Sequence, residues 1–198
     1  VFRASDRASE RVAFGQFIDF AWDRLRRWPD LHIYHYAHYE PTTLKRLMTV
    51  HATREDEVDE LLRREAFVDL YQVVRRSMRI SHNSYSIKAV RQFFMPEAGK
   101  GEVTGGGQSI LEFQRWIDTG DQHILDAIER YNEEDCDSTL KLHRWMLERR
   151  DEAQRQFSVE IPFRSLPDNR DKAVGTEADE HLERRARLSA IGQTWAET

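Results

Sequence analysis

The chain has almost no cysteine. Cys136 stands alone among 198 residues, so no intramolecular disulfide can form and no set of thiolates exists for zinc or an iron–sulfur cluster. Long apolar runs are missing too. No stretch is long enough to cross a bilayer and none has the pattern of a secretory leader, which predicts a soluble protein of the cytoplasm with no membrane partner. Positive charge falls short of what a nucleic-acid-coating protein carries. The 30 Lys and Arg face 35 Asp and Glu, a net charge of −5, which excludes bulk electrostatic wrapping but leaves room for a local basic rim. A phosphate-binding loop is also lacking. Five of the nine glycines fall between Pro96 and Gln108, yet Gly99-Lys100-Gly101 lacks the Gly-x-x-x-x-Gly-Lys-Ser/Thr spacing that wraps phosphate in backbone amides. A mobile loop near a substrate channel is the better expectation.

What is present suffices for one core. With 39% hydrophobic and 11% aromatic residues, the chain can bury one domain, expected over residues 1–150, but hardly two. Residues 151–198 read as a charged linker or docking tail. Ile161-Pro162-Phe163 and Leu166-Pro167 are its short apolar anchors, and residues 177–188 fit a polar helix.

Apolar periodicity places the elements. A first helix is expected over 9–27, with Phe14, Phe17, Ile18, Ala21 and Leu25 on one face and Pro29 beyond its end. Asp19 and Asp23, one turn apart on it, read as a solvated face. Residues 31–36 are short and rich in Ile and Tyr, which fits a buried strand. Glu40 follows, just before Pro41, and Pro favours the start of a helix, here 41–48. Glu40 therefore falls at a strand-to-helix junction, where α/β sheets place their ligands. His32, His35 and His38 cannot converge on one ion along a straight strand, because residues three apart point to opposite faces. His35 or His38 hydrogen-bonding near an acidic cluster is the preferred role. Tyr34, Tyr36 and Tyr39 are expected in the core, with stacking on a terminal base as the alternative for one of them.

Thr53 is positioned as the cap of the next helix, with Asp56 at the capping-box position and Val58, Leu61 and Leu62 as its apolar side. A strand over 67–70 leads into a helix over 71–78, and Asp69 between them is either its N-cap or a metal ligand. Ser84-Tyr85-Ser86 caps a helix over 87–94, whose first turn holds Lys88 and whose positive end can meet a phosphate. Arg75, Arg76, Arg79, Lys88 and Arg91, with Ser86, are candidates for a basic rim; solvated helix faces are the plainer reading of each. A further helix over 109–117 has Ile110, Phe113 and Trp116 inward, and Gly120 breaks it.

The last helical stretch, 124–146, carries the chemistry. Ile124, Ile128, Tyr131, Asp135, Ser138, Leu142 and Trp145 recur at steps of four and three, one face of an α-helix. Asp135 thus lies on the core-facing stripe, where an ionised carboxylate needs a hydrogen-bond donor, a cation, or an opening that is itself a site. Tyr131, one turn earlier, brings a phenol to the same point, a pairing suited to a metal and a water beside it. A neighbouring hydroxyl or backbone donor would satisfy Asp135 equally. Cys136 reads as a small packed residue beside it.

Four segments in order, His35-Tyr36-Ala37-His38-Tyr39-Glu40, Val68-Asp69-Leu70-Tyr71, Ser84-Tyr85-Ser86-Ile87-Lys88 and Tyr131-Asn132-Glu133-Glu134-Asp135-Cys136, resemble the YprB-type ribonuclease H-like domain. That domain occurs in predicted RecB-like nucleases, often fused to a helicase. It lies within the DEDD superfamily of 3′–5′ exonucleases, which use four acidic residues and a tyrosine. The likeness spans about residues 10–150. It implies an α/β ribonuclease H-like fold and phosphodiester hydrolysis on DNA or RNA at a pair of Mg²⁺ or Mn²⁺ ions about 4 Å apart, with a helicase in the same polypeptide. Asp135 and Glu40 would be ligands and Tyr131 would orient the water, with Asp69, His35 and His38 in supporting positions.

Two departures qualify the likeness. The family's opening strand with Asp-x-Glu is absent, and the chain begins Val1-Phe2-Arg3-Ala4 without Met. The expectation is a helix-rich fragment without its opening strands, inactive or nearly so by itself. Glu40 also stands where relatives more often have Asp, one methylene shorter. A non-catalytic adaptor that guides a strand to a fused helicase is the alternative.

Overall fold

Asp6 starts the first helix by exchanging hydrogen bonds with Ser9: its carboxylate accepts from the Ser9 N–H at 2.7 Å, and the Ser9 hydroxyl oxygen accepts from the Asp6 N–H at 3.0 Å. In the computed structural model, which describes residues 2–96 and 106–163, this box opens α1 (Arg7–Arg27). Phe14, Ile18, Ala21 and Leu25 of α1 are buried, as their spacing predicts. The chain continues through β1 (Ile33–His35), α2 (Tyr39–His51), α3 (Glu55–Arg63), β2 (Phe67–Asp69), α4 (Leu70–Ser77), α5 (Ile87–Phe94), α6 (Gly106–Thr119) and α7 (Gln122–Phe157).

The two strands are parallel, Ile33 opposite Phe67, Tyr34 opposite Val68 and His35 opposite Asp69. A parallel pair needs a long crossover, here α2 and α3. Alternation along the strands then sorts the core into two clusters. Ile33 and Phe67 pack with Phe14, Ile18, Val58 and Leu61 of α1 and α3. Val68 and Tyr36 pack instead with Leu70, Val74, Val90 and Leu142 of α4, α5 and α7. Helices on both faces of a parallel sheet define an α/β layered domain, rich in helix because only two short strands lie among the described residues. Each fully buried Ile, Leu or Val contributes about 1.5–3 kcal/mol.

Several elements depart from what the sequence alone predicts. Helix α2 begins at Tyr39 rather than Pro41. The first-turn N–H groups of a helix have no partner anyway, so Pro41 is tolerated inside that turn, and Glu40 lies in the helix instead of before it. Thr53 does not cap α3. Arg54 does, in the left-handed region with φ 58° and without a side-chain cap bond, while its guanidinium forks onto Asp19 of α1 at 2.7 and 2.8 Å. That tie between helices fixes the entry to α3 in place of a capping box.

Tyr34 and Tyr39 are exposed, and Tyr36 alone of the three enters a core cluster. On α6, Phe113 and Trp116 are half-buried with rings 5.3 Å apart, whereas Ile110 is exposed. Asp69 and Ser86 do cap α4 and α5, accepting from Tyr71 and Ala89.

Helix α7 runs unbroken past residue 150. Beyond it the chain turns back, the Ile161 N–H donating to Gln154 Oε1 at 2.8 Å and the Ile161 carbonyl accepting from Arg150 Nε at 2.9 Å. The chain divides into two units, Val1–Pro162 and Phe163–Thr198. Of the second only Phe163 is described, so the Leu166-Pro167 anchor and the polar helix expected over 177–188 lie outside the described residues. The same holds for most of the glycine-rich loop, 97–105. Among the described residues no helix is long and apolar enough to cross a membrane.

Candidate active site

At the C-terminal end of β1 the chain turns through Ala37 into α2, and the stripe of α7 passes beside that turn. The result is a cleft of about 310 Å³ lined by Tyr34 and His35 of β1, Glu40 of α2, and Asp135, Cys136, Thr139, Leu140 and His143 of α7. Glu40 and Asp135, 95 positions apart by their residue numbers, thus face one space.

Two contacts build the turn. Ala37 sits at φ 67°, a strained conformation for a residue with a Cβ, and its N–H donates to Asp69 Oδ1 at 2.8 Å. Its carbonyl is 2.5 Å from His35 Nδ1. A carbonyl only accepts, so Nδ1 is the donor in this contact. The buried His35 ring also lies 3.8 Å from the Glu40 carboxylate.

Asp135 is on the inward stripe, but it is not sealed in the core. Its side chain is 42% exposed, and Arg91 Nη2 donates to its Oδ1 at 2.7 Å. Arg91 is itself buried, with Nη2 reaching the Glu134 carbonyl at 3.4 Å. It is therefore the partner of Asp135 and no part of an exposed basic rim. The sequence carried a signal for this pairing: Ile87, Val90, Arg91 and Phe94 share one face of α5, so Arg91 is a charged residue on an apolar stripe just as Asp135 is on α7.

Tyr131 is half-buried one turn before Asp135. Burial first, then the Asp135 charge and a hydrogen bond to it, push its phenol up, so it stays a neutral donor near pH 7. Cys136 faces solvent instead of packing. Partial burial of its sulfur, followed by the charges of Asp135, Asp137, Glu40 and Glu133, pushes the thiol up. That thiol thus lies in the negative field that α2 and α7 share.

Neither Tyr131 nor the remaining candidates line the cleft. His38 is the exposed N-cap residue of α2 with no side-chain cap bond. Asp69 is engaged with Ala37 and Tyr71. Arg75, Arg76 and Arg79 are exposed on and after α4, Arg75 lying 6.0 Å over the Tyr71 ring. Lys88 and Ser86 are exposed at the start of α5. Composition and motif gave no warning of the aromatic wall, where Tyr34 and His143 stack with centroids 4.1 Å apart.

An acidic cleft at the carboxyl end of a parallel strand, with helices on both sheet faces, defines the class as an α/β domain with a cleft at a strand-to-helix turn, the place where such sheets bind their ligands. A family model of the RNase H superfamily matches residues 2–147. The chain belongs to that superfamily and is a nuclease-like domain. No curated protein and no solved structure matches it.

Nucleases of this superfamily generally use divalent metal ions. Oxygen ligands such as Glu40 and Asp135 have the right chemistry for Mg²⁺ or Mn²⁺, but the arrangement does not fit such an ion. Among the described residues no three His, Cys, Asp or Glu side chains group to hold a metal, and a guanidinium already occupies Asp135.

Proposed function

We propose that this domain takes the end of a DNA or RNA strand into the cleft as part of a 3′–5′ exonuclease that hydrolyses a phosphodiester bond there, with little or no activity from this chain alone. The observation that carries the reading is the convergence of Glu40 and Asp135 on one cleft in a chain of the RNase H superfamily. The His35 ring, which lines the cleft, and the neutral Tyr131 phenol one turn before Asp135 are groups able to hold a water or a phosphate oxygen. The finer assignment to the YprB-type, RecB-like nucleases and a helicase in the same polypeptide rests on the four segments from His35 to Cys136. The role of residues 151–198 as a linker or docking tail rests on their charged composition with short apolar anchors.

A second reading is a strand-binding adaptor without cleavage. The Arg91–Asp135 ion pair and the lack of a grouped metal-ligand set among the described residues favour it. One assay separates the two. End-labelled single-stranded DNA and RNA are incubated with the full chain and Mn²⁺, beside Glu40→Gln, and binding is followed at low and high salt. Glu40→Gln is the cleaner control, since Glu40 is exposed whereas Asp135 also neutralises a buried charge. Cleavage that disappears in Glu40→Gln supports the nuclease. Salt-sensitive binding that survives chelator and Glu40→Gln, with no cleavage, gives the adaptor.

A further inference from the structure

Arg91 is 9% exposed, and no other Lys or Arg among the described residues is buried. A guanidinium cannot shed its proton to escape burial, so it must keep a counter-charge. Asp135 Oδ1 supplies one at 2.7 Å. The Nε of Arg91 has no partner among the described residues, which makes the bond to Asp135 the more important. Across the cleft Glu40 remains 51% exposed, with His35 Nδ1 at 3.8 Å from its carboxylate. The two carboxylates that face one space are therefore unequal: Glu40 is exposed to solvent and Asp135 is already neutralised from behind.

We propose that Arg91 takes the place of a divalent ion on the Asp135 carboxylate, so that the cleft as built does not hold such an ion, and that Arg91 is a positioning residue whose charge opposes cation binding there. Like charges repel, so a doubly charged ion entering beside Glu40 meets the guanidinium as well as the carboxylate. Asp135 is at the same time structural, because removing it leaves Arg91 buried without its counter-ion. The inference rests on the nuclease reading only in taking Asp135 as a candidate metal ligand. Its test reads cation binding and melting, so failure to cleave leaves it standing, and an unaltered affinity sinks it alone.

The experiment titrates Mn²⁺ alone into the full chain, following the loss of the free-ion spin resonance signal. Wild type is compared with Arg91→Gln, which keeps an N–H donor for Asp135 without the charge, and with Arg91→Gln combined with Asp135→Asn. The expected result is that Arg91→Gln binds Mn²⁺ about tenfold or more tightly than wild type and that the added Asp135→Asn abolishes the gain. Equal affinity in wild type and Arg91→Gln overturns the proposal, as does a gain that survives Asp135→Asn. Should Arg91→Gln not fold, the melting temperature of Asp135→Asn in chelator decides. A clear drop is expected from the stranded guanidinium, and an unchanged Tm overturns the proposal.

Discussion

Oδ1 of Asp69 accepts the backbone N–H of Ala37 at 2.8 Å while it caps α4 by accepting from Tyr71 at 2.9 Å. One carboxylate oxygen thereby fixes both the end of β2 and the left-handed turn that leads from β1 to Glu40. Asp69→Ala removes an N-cap and leaves the Ala37 N–H without its partner. A loss of about 2 kcal/mol or more is expected, read as a lower urea midpoint. Asp69→Asn keeps a carbonyl oxygen in place and should lose clearly less. Equal losses in the two variants would show that the acceptor geometry is not what holds the turn.

Tyr36 couples the same region to alkaline pH. Its hydroxyl donates to the Tyr85 carbonyl, and its ring meets Tyr71 edge-on at 5.7 Å. Burial first, then the nearby Tyr71 and Asp69, push the phenol up to about 12. The unfolded chain loses that proton near the ordinary value of 10.0, so above it the folded state holds more protons and stability falls as pH rises. The contribution is present below pH 10 and is lost progressively towards about 12. Tyr36→Phe should lower stability at neutral pH by about 1 kcal/mol and flatten the alkaline fall. Urea midpoints measured across an alkaline series check both effects.

Local signals made much of this fold legible. The inward faces of α1 and α7 and the caps at Asp69 and Ser86 follow from spacing, whereas the pairing of Glu40 with Asp135 was expected from the family resemblance and not from spacing. Contacts between elements distant in sequence were not legible. Arg91 and Asp135 lie 44 residues apart, and each taken alone looks like a misplaced charge; only the packing of α5 on α7 makes them partners. Arg54 reads as a solvated charge until Asp19 of α1 is beside it. Tyr34 reads as core because it is an aromatic in a short strand rich in Ile and Tyr, yet alternation turns it to the sheet face opposite Ile33 and His35, where His143 gives it only part of a cover.

Leu142 sets the height of α7 against the sheet. It is fully buried with Leu70, Val74 and Val90, two turns beyond Asp135 on the same stripe. Leu142→Ala should destabilise by about 2–5 kcal/mol, transfer and cavity effects together. Because the same contact aligns Asp135 with the cleft, Mn²⁺ or strand binding should weaken in Leu142→Ala even well below its melting temperature. Binding equal to wild type at that temperature would mean that α5 and β1 hold α7 in place without Leu142.

His143 makes the cleft sensitive to mild acid. Its ring stacks on Tyr34 at 4.1 Å. Burial first, then the positive charge of Arg144 and the neighbouring His32, hold it below the ordinary 6.5. As pH falls through 6.5 the unfolded chain therefore takes up this proton before the folded one does. The unfolded state binds more protons in that window, and stability rises with pH across it. The loss on acidification begins near 6.5 and is complete once pH has dropped below the folded value. His143→Phe keeps a ring against Tyr34 but cannot titrate, so its urea midpoint should decline less than wild type between about pH 7.5 and pH 5.5. Parallel declines in the two proteins would assign the acid sensitivity to other groups. A steeper decline in His143→Phe would mean that the proton on His143 stabilises the folded cleft, reversing the sign argued from its burial.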